Sequence, residues 1–183
     1  GCRGWLGWGL SLLAAGAVVH ADEIKVLSAG AFKPVLVALQ SDFESQSGHR
    51  LTISNDTAGG LQKRVLAGEA FDVVVSSPGS LKAMQKAGKV SDAPPTELAR
   101  VAIGVAVAPG AALPDISSVA AFQQALKAAR RVAYIDPAAG GSSGIYLDDL
   151  FERWGLRDEI RAKAVLVPGG LVANRLMDGS ADL

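Results

Sequence analysis

Apolar and polar positions along this chain switch repeatedly between two periods, one suited to strands and one to helices. Ile24-Lys25-Val26-Leu27 reads as a short strand that runs into the small-residue turn Ser28-Ala29-Gly30-Ala31. Val35, Leu36, Leu39 and Phe43 then recur at helical spacing, with Pro34 suited to a first turn and Gly48 to a stop. Leu51-Thr52-Ile53 predicts a second strand, which runs into Asn55-Asp56-Thr57-Ala58-Gly59-Gly60. Leu61, Val65 and Leu66 mark a second helix that ends at Gly68. The β-branched run Phe71-Asp72-Val73-Val74-Val75 predicts a buried strand, closed by Ser76-Ser77-Pro78-Gly79. A helix with Leu81 and Met84 follows and stops at Gly88.

Pro94-Pro95 breaks the series, and Val101–Val107 reads as a long apolar strand that crosses between two halves. A second αβ series then begins. Helix is predicted over Val119–Leu126, strand over Val132–Ile135, helix over Ile145–Trp154, strand over Ala164–Val167 and helix over Leu171–Met177. Ala181-Asp182-Leu183 stands where a further strand would start. Strands alternating with helices imply parallel sheets, hence an α/β fold.

The first residues follow a different rule. Arg3 precedes an uncharged run from Trp5 to Val19, too short for the ~20 residues that span a bilayer. It ends in Val19-His20-Ala21, with small or apolar residues at −3 and −1 of a cut after Ala21, so residues 1–21 read as a secretory signal peptide. The remainder loses Cys2 and Arg3, which leaves it free of cysteine and slightly acidic. A cysteine-free exported protein fits an oxidising periplasm. Composition narrows the chemistry further. With 49% hydrophobic residues and equal numbers of acidic and basic side chains, neither disorder nor nucleic-acid binding is expected. One cysteine and two histidines exclude a disulfide framework, and neither a metal nor a cofactor is expected.

Four predicted strands run into Gly/Ser/Thr/Ala loops that open helices: Ser28–Ala31, Asp56–Gly60, Gly140–Ser143 and Gly169–Gly170. In parallel αβ sheets such loops lie at the carboxyl ends of the strands, where ligands bind. Helix N-termini there present free N–H groups and a positive dipole end, which suit an anion. Gly30, Ala31, Thr57, Ala58, Gly59, Gly141, Ser142, Ser143, Gly169 and Gly170 are therefore the candidate ligand-binding residues. No phosphate loop, dinucleotide fingerprint or Gly-x-Ser-x-Gly elbow is present. Beyond the predicted signal, His49 is the one histidine and sits in a turn away from these loops, which excludes a Ser-His-Asp triad. Asp72 reads as structural, Asp148-Asp149 as solvated helix surface, and Lys33, Lys63 and Arg64 as exposed first-turn cations beside the loops.

Ile24–Ala29, Gly59-Gly60-Leu61-Gln62-Lys63-Arg64, Phe71–Val75, and Asp136-Pro137 followed by Gly144-Ile145-Tyr146 together resemble the molybdate-binding family of type 2 periplasmic binding proteins. The resemblance covers 22–183. It implies a two-lobed α/β fold with parallel-rich sheets and an interlobe cleft, with lobe 1 over 22–100 and lobe 2 over 101–183. Family members continue past Leu183, so the second lobe is expected to be incomplete and the sequence to be C-terminally truncated. The implied role is a monomeric periplasmic solute-binding protein that carries a small anionic ligand to an ABC permease in the inner membrane. Two positions depart from the family: Ala31 and Ala58 stand where it places ligand serines, which removes two oxyanion-binding hydroxyls. An aconitate isomerase-like relative gives a second reading, proton transfer on a small tricarboxylate. Its acid–base group would come from among Lys33, Asp56, Asp136 and Tyr146, with none singled out.

Overall fold

Three strands build the first sheet, β1 (Glu23–Ala29), β2 (Arg50–Asp56) and β3 (Val73–Val75), in the order β2-β1-β3, with the central β1 buried over Val26–Ser28. The computed structural model describes residues 21–183, so the expected signal segment, apart from Ala21, lies outside the described residues. Both pairings are parallel, and their register sets Ala29 beside Asp56 and Ser28 beside both Asn55 and Val75. The carboxyl ends of the three strands therefore lie side by side. Helices α1 (Lys33–Ser47), α2 (Ala58–Leu66) and α3 (Pro78–Lys86) follow the three strands in turn.

α2 shows why this half holds together. Ala58, Leu61 and Val65 recur on one face and are buried, with Leu61 and Val65 meeting Leu27 and Met84 in a common core. Burying each large aliphatic side chain of this kind stabilises the fold by about 1.5–3 kcal/mol. α1 forms where its spacing predicts, yet none of its residues is buried, and Leu39 on its apolar face is 56% exposed. Polar bonds tie it down instead. Gln40 Nε2 donates to the Leu51 carbonyl, and Glu44 Oε1 accepts from Leu51 N–H at 2.8 Å. β3 is shorter than the apolar run suggests and its Val73 is exposed, a correction to the buried strand expected there. It begins late because Asp72 bonds β1 instead, its carboxylate taking Lys25 N–H at 2.8 Å and its own N–H reaching Lys25 O.

A second parallel sheet pairs β4 (Val132–Ile135) with β5 (Ala164–Val167). Around it pack α4 (Val119–Ala128), α5 (Ser142–Arg153), α6 (Arg157–Ala162) and the single turn α7 (Asn174–Met177). Its core joins Leu126, Val132, Tyr134, Phe151, Leu156 and Ile160, with Phe151 set edge-on to Tyr134 at 5.8 Å between ring centres. Residues 182–183 already lie along β4, since Ala133 N–H donates to Leu183 O and Leu183 N–H to Arg131 O.

Two expectations are corrected by the second half, and one helix is added. Val101–Val107 is not a strand: no strand among the described residues pairs with it, and Val101 is 70% exposed. Its middle instead lines an apolar cavity of about 270 Å³ with Phe122, Leu126, Tyr134 and Phe151. The helix expected from Leu171 is helical only from Asn174, because Leu171–Ala173 form a turn with i→i+3 bonds such as Asn174 N–H to Leu171 O. α6 was not anticipated; Ile160 is its one buried residue, too little for a periodic signal.

Candidate functional site

The loop after β1 is held open at its tip. Gly30 N–H donates to Asp56 O, Phe32 N–H to Ala29 O, and Gly30 and Ala31 remain exposed. Phe32 caps α1 without a side-chain hydrogen bond, and backbone carbonyls satisfy the first turn: Lys33 N–H donates to Gly30 O, Val35 N–H to Phe32 O, and Pro34 has no N–H. The loop after β2 is tighter. Thr57 caps α2 by accepting Gly60 N–H at 2.9 Å, and Asp56 Oδ1 accepts Thr57 N–H at 2.7 Å. Ala58 is buried behind the cap, beneath Ser80, whose hydroxyl donates to Ala58 O.

In the second half, Asp136 Oδ1 accepts Ala138 N–H at 2.9 Å and starts a short 3₁₀ turn, Pro137–Ala139. Gly140 ends that turn at φ 76°, a left-handed conformation that favours glycine. Gly141 then caps α5 without a side-chain bond, leaving Ser142 and Ser143 in the first helical turn. The last loop, 168–170, follows β5 and is exposed.

These loops are brought together. Thr57 Oγ1 donates to Ala139 O at 2.7 Å, and Gly59 N–H donates to Gly140 O at 2.9 Å. A methyl placed on Gly169 would lie 3.8 Å from Thr57 Cγ2. With the Gly30–Asp56 bond, all four strand-end loops meet around Thr57. Ser142 and Ser143 also line an open cavity of about 460 Å³ with Tyr146 and Val101–Ile103.

The cations near the loops are placed differently from one another. Arg64 is already engaged: it is bound to both oxygens of Glu69, at 2.6 and 2.7 Å, and donates to Ser54 Oγ. That hydrogen-bonded pair raises the Arg64 guanidinium above its usual range and lowers the Glu69 carboxyl below its own. Asp56 Oδ2 lies 3.8 Å from Arg64 on the other side. Lys33 and Lys63 are exposed, as expected. The hydrogen-bonding roles of Asp56 and Asp136 are caps on backbone N–H groups, whereas Tyr146 stands at the cavity wall, 53% exposed.

Other residues are settled by their contacts. His49 Nδ1 accepts Asp22 N–H in the turn before β2, and Asp72 is structural. Asp148 is not solvated surface: Arg161 grips it at 2.7 Å, and its side chain is 18% exposed. Among the described residues no group of three or more His, Cys, Asp or Glu is placed to hold a metal. Ser76 is expected from the sequence only to close the loop after β3. Its hydroxyl is buried without a partner among the described residues, one residue past Val75 at the carboxyl end of β3. The signal lies in its position, because Ser76 follows the third parallel strand just as Gly30 and Thr57 follow the other two.

Comparison with known proteins follows the same lines. The family described as bacterial extracellular solute-binding protein matches residues 24–183. An aconitate isomerase from a Pseudomonas species is 32% identical over 187 residues, spanning 97% of this chain and 70% of that protein. The solved periplasmic molybdate-binding protein of Azotobacter vinelandii has a TM-score of 0.60 at 20% identity, covering 87% of this chain and 68% of its own. The structural likeness carries the fold, and it agrees with the α/β architecture and parallel sheets expected from the sequence.

Proposed function

Because the chain belongs to the bacterial extracellular solute-binding proteins, we propose that it holds one small anion, an oxyanion or a carboxylate, between two lobes spanning 22–100 and 101–183. The observation that supports this most is the meeting of four strand-end loops around Thr57. One of those loops opens α5 at Gly141 with no side-chain acceptor at the cap, and the N–H groups of Ser142 and Ser143 have no hydrogen-bond partner among the described residues. Free N–H groups and helix dipoles favour a negative charge there without a neighbouring cation. That suits a junction whose nearest arginine is already held by Glu69. Gly30, Ala31, Ser142, Ser143, Gly169 and Gly170 would line the anion, with Thr57, Ala58 and Gly59 forming the floor. The irregular connection over 101–107 would serve as the hinge. Export by the signal in 1–21 and delivery to an ABC permease complete the reading, for a protein that acts as a monomer, without nucleic acid.

A second reading is supported by the 32% identical aconitate isomerase, together with Ala31 and Ala58 where oxyanion serines are expected. Proton transfer needs an unencumbered acid–base group against the substrate carbon. Asp56 and Asp136 each cap a backbone N–H, which favours binding over turnover and leaves Tyr146 and Lys33 as the groups for the isomerase reading. Incubating the full-length protein with trans-aconitate and following its ultraviolet absorbance separates the two. An unchanged spectrum is expected; turnover would overturn the binding-only reading. Thermal shift assigns the ligand class: stabilisation by molybdate or tungstate alone selects an oxyanion, and stabilisation by carboxylates alone selects a carboxylate.

A further inference from the structure

We propose that Thr57 and Gly59 form a closure latch that sets how far the two lobes are shut, rather than supplying donors to the ligand. The inference rests on reading the junction between the halves as the ligand site. A hydroxyl has one proton to donate. That of Thr57 goes to Ala139 O at 2.7 Å, while its oxygen accepts Gly60 N–H at 2.9 Å. The Gly59 N–H is likewise committed, to Gly140 O at 2.9 Å. Both donors of this loop thus cross from the first half to carbonyls of the second.

The backbones also touch. A Cβ on Gly59 would lie 2.6 Å from Gly140 Cα and 3.1 Å from Gly140 O, closer than a side chain tolerates against backbone. The contact therefore needs glycine on the Gly59 side for steric reasons, and on the Gly140 side also for its φ of 76°. Both bonds across the junction run between protein atoms only, Thr57 Oγ1 to Ala139 O and Gly59 N–H to Gly140 O. It follows that the latch favours the closed state for any anion, and selectivity is left to the loops carrying Gly30, Ala31, Ser142 and Ser143.

The test is single-molecule energy transfer in the full-length protein, with dyes on Lys86→Cys in α3 and Glu152→Cys in α5 in a Cys2→Ser background. Thr57→Val should lower the closed-to-open ratio of the unliganded protein about five- to tenfold, the worth of one hydrogen bond, and Gly59→Ala at least as much, through the contact of its methyl with Gly140. Thr57→Ser keeps both bonds and should retain the parent ratio. Thr57→Asp keeps the cap on Gly60 N–H but cannot donate when ionised, so it should open the protein as Thr57→Val does. That variant separates the latch from the cap should Thr57→Val fold poorly. Molybdate and trans-aconitate are then titrated separately, and whichever binds should weaken by the factor by which the closed fraction falls. Unchanged energy transfer in Thr57→Asp and Gly59→Ala would overturn the latch. Failure of both anions to bind would instead count against the anion reading, since the unliganded ratio still reports the latch.

Discussion

Gly79 and Gly144 both stand in the first turn of a helix, and alanine at the two is expected to act with opposite signs. Gly79 is exposed in α3, with nothing within 4 Å of where a Cβ would be. Alanine there improves helix propensity and restricts the unfolded state, a gain of about 0.5–1 kcal/mol. Gly144 in α5 has the same intrinsic gain available, but it is buried against the end of β4. Its Cβ would overlap the Ile135 carbonyl oxygen and lie 2.8 Å from Ile135 C and 3.2 Å from Pro137 N. Those are backbone atoms fixed by the bond from Asp136 N–H to Val167 O, so α5 itself must move. Forcing a group into such a site costs about 1–3 kcal/mol, occasionally more. The overlap here is severe enough to place the net loss near ~2 kcal/mol after the propensity gain. At ~2–4 °C per kcal/mol, Gly144→Ala should melt about 4–8 °C below the parent, and Gly79→Ala about 1–4 °C above it. Denaturant melts followed by circular dichroism give the two free energies. A Gly144→Ala protein as stable as the parent would refute the packing of α5 on β4, and with it the placement of Ser142 and Ser143.

Phe151→Ala should cost about 3–5 kcal/mol in the same melts, because the ring is 1% exposed within the second core. Tyr134→Phe should be neutral or slightly stabilising, since the buried hydroxyl it removes has no partner among the described residues; a loss above ~2 kcal/mol would reveal a bond to that oxygen. Glu69 gives a pH signature. Its carboxyl is held low mainly by the Arg64 hydrogen bond, so its contribution is present above the unfolded value and is lost as pH falls through the lowered folded one. Urea melts from pH 7 downward should show Glu69→Gln less stable than the parent at neutrality, the gap closing in acid; a gap that persists unchanged would contradict the pair.

Much of the order of elements was legible because glycine and small polar residues punctuate it. Gly48 ends α1 and Thr57 caps α2, both local effects that short-range chemistry decides. What depended on distant partners was harder to read. Val101–Val107 has the apolar run of a strand, but a strand exists only with a neighbour to bond. The apolar stripe of α1 made it a helix, yet Gln40 and Glu44 rather than that stripe fix it to β2. The candidate loops could be named one by one, while their meeting rests on a bond between Thr57 and Ala139, 82 positions apart. Arg64 was expected in a first helical turn but stands with Lys63 in the last turn of α2, and only its neighbours Glu69 and Ser54 reveal that its charge is already engaged.

Backbone amide spectra of the isotopically labelled full-length protein test the central claim most directly. On adding molybdate, and separately trans-aconitate, one of the two should shift the amides of Gly30, Ala31, Ser142, Ser143 and Gly170 saturably. The buried strand residues Val26 and Val132 should stay in place. Shifts confined to other surfaces, or no saturable shift with either anion, would contradict an anion site built from the loops that meet around Thr57.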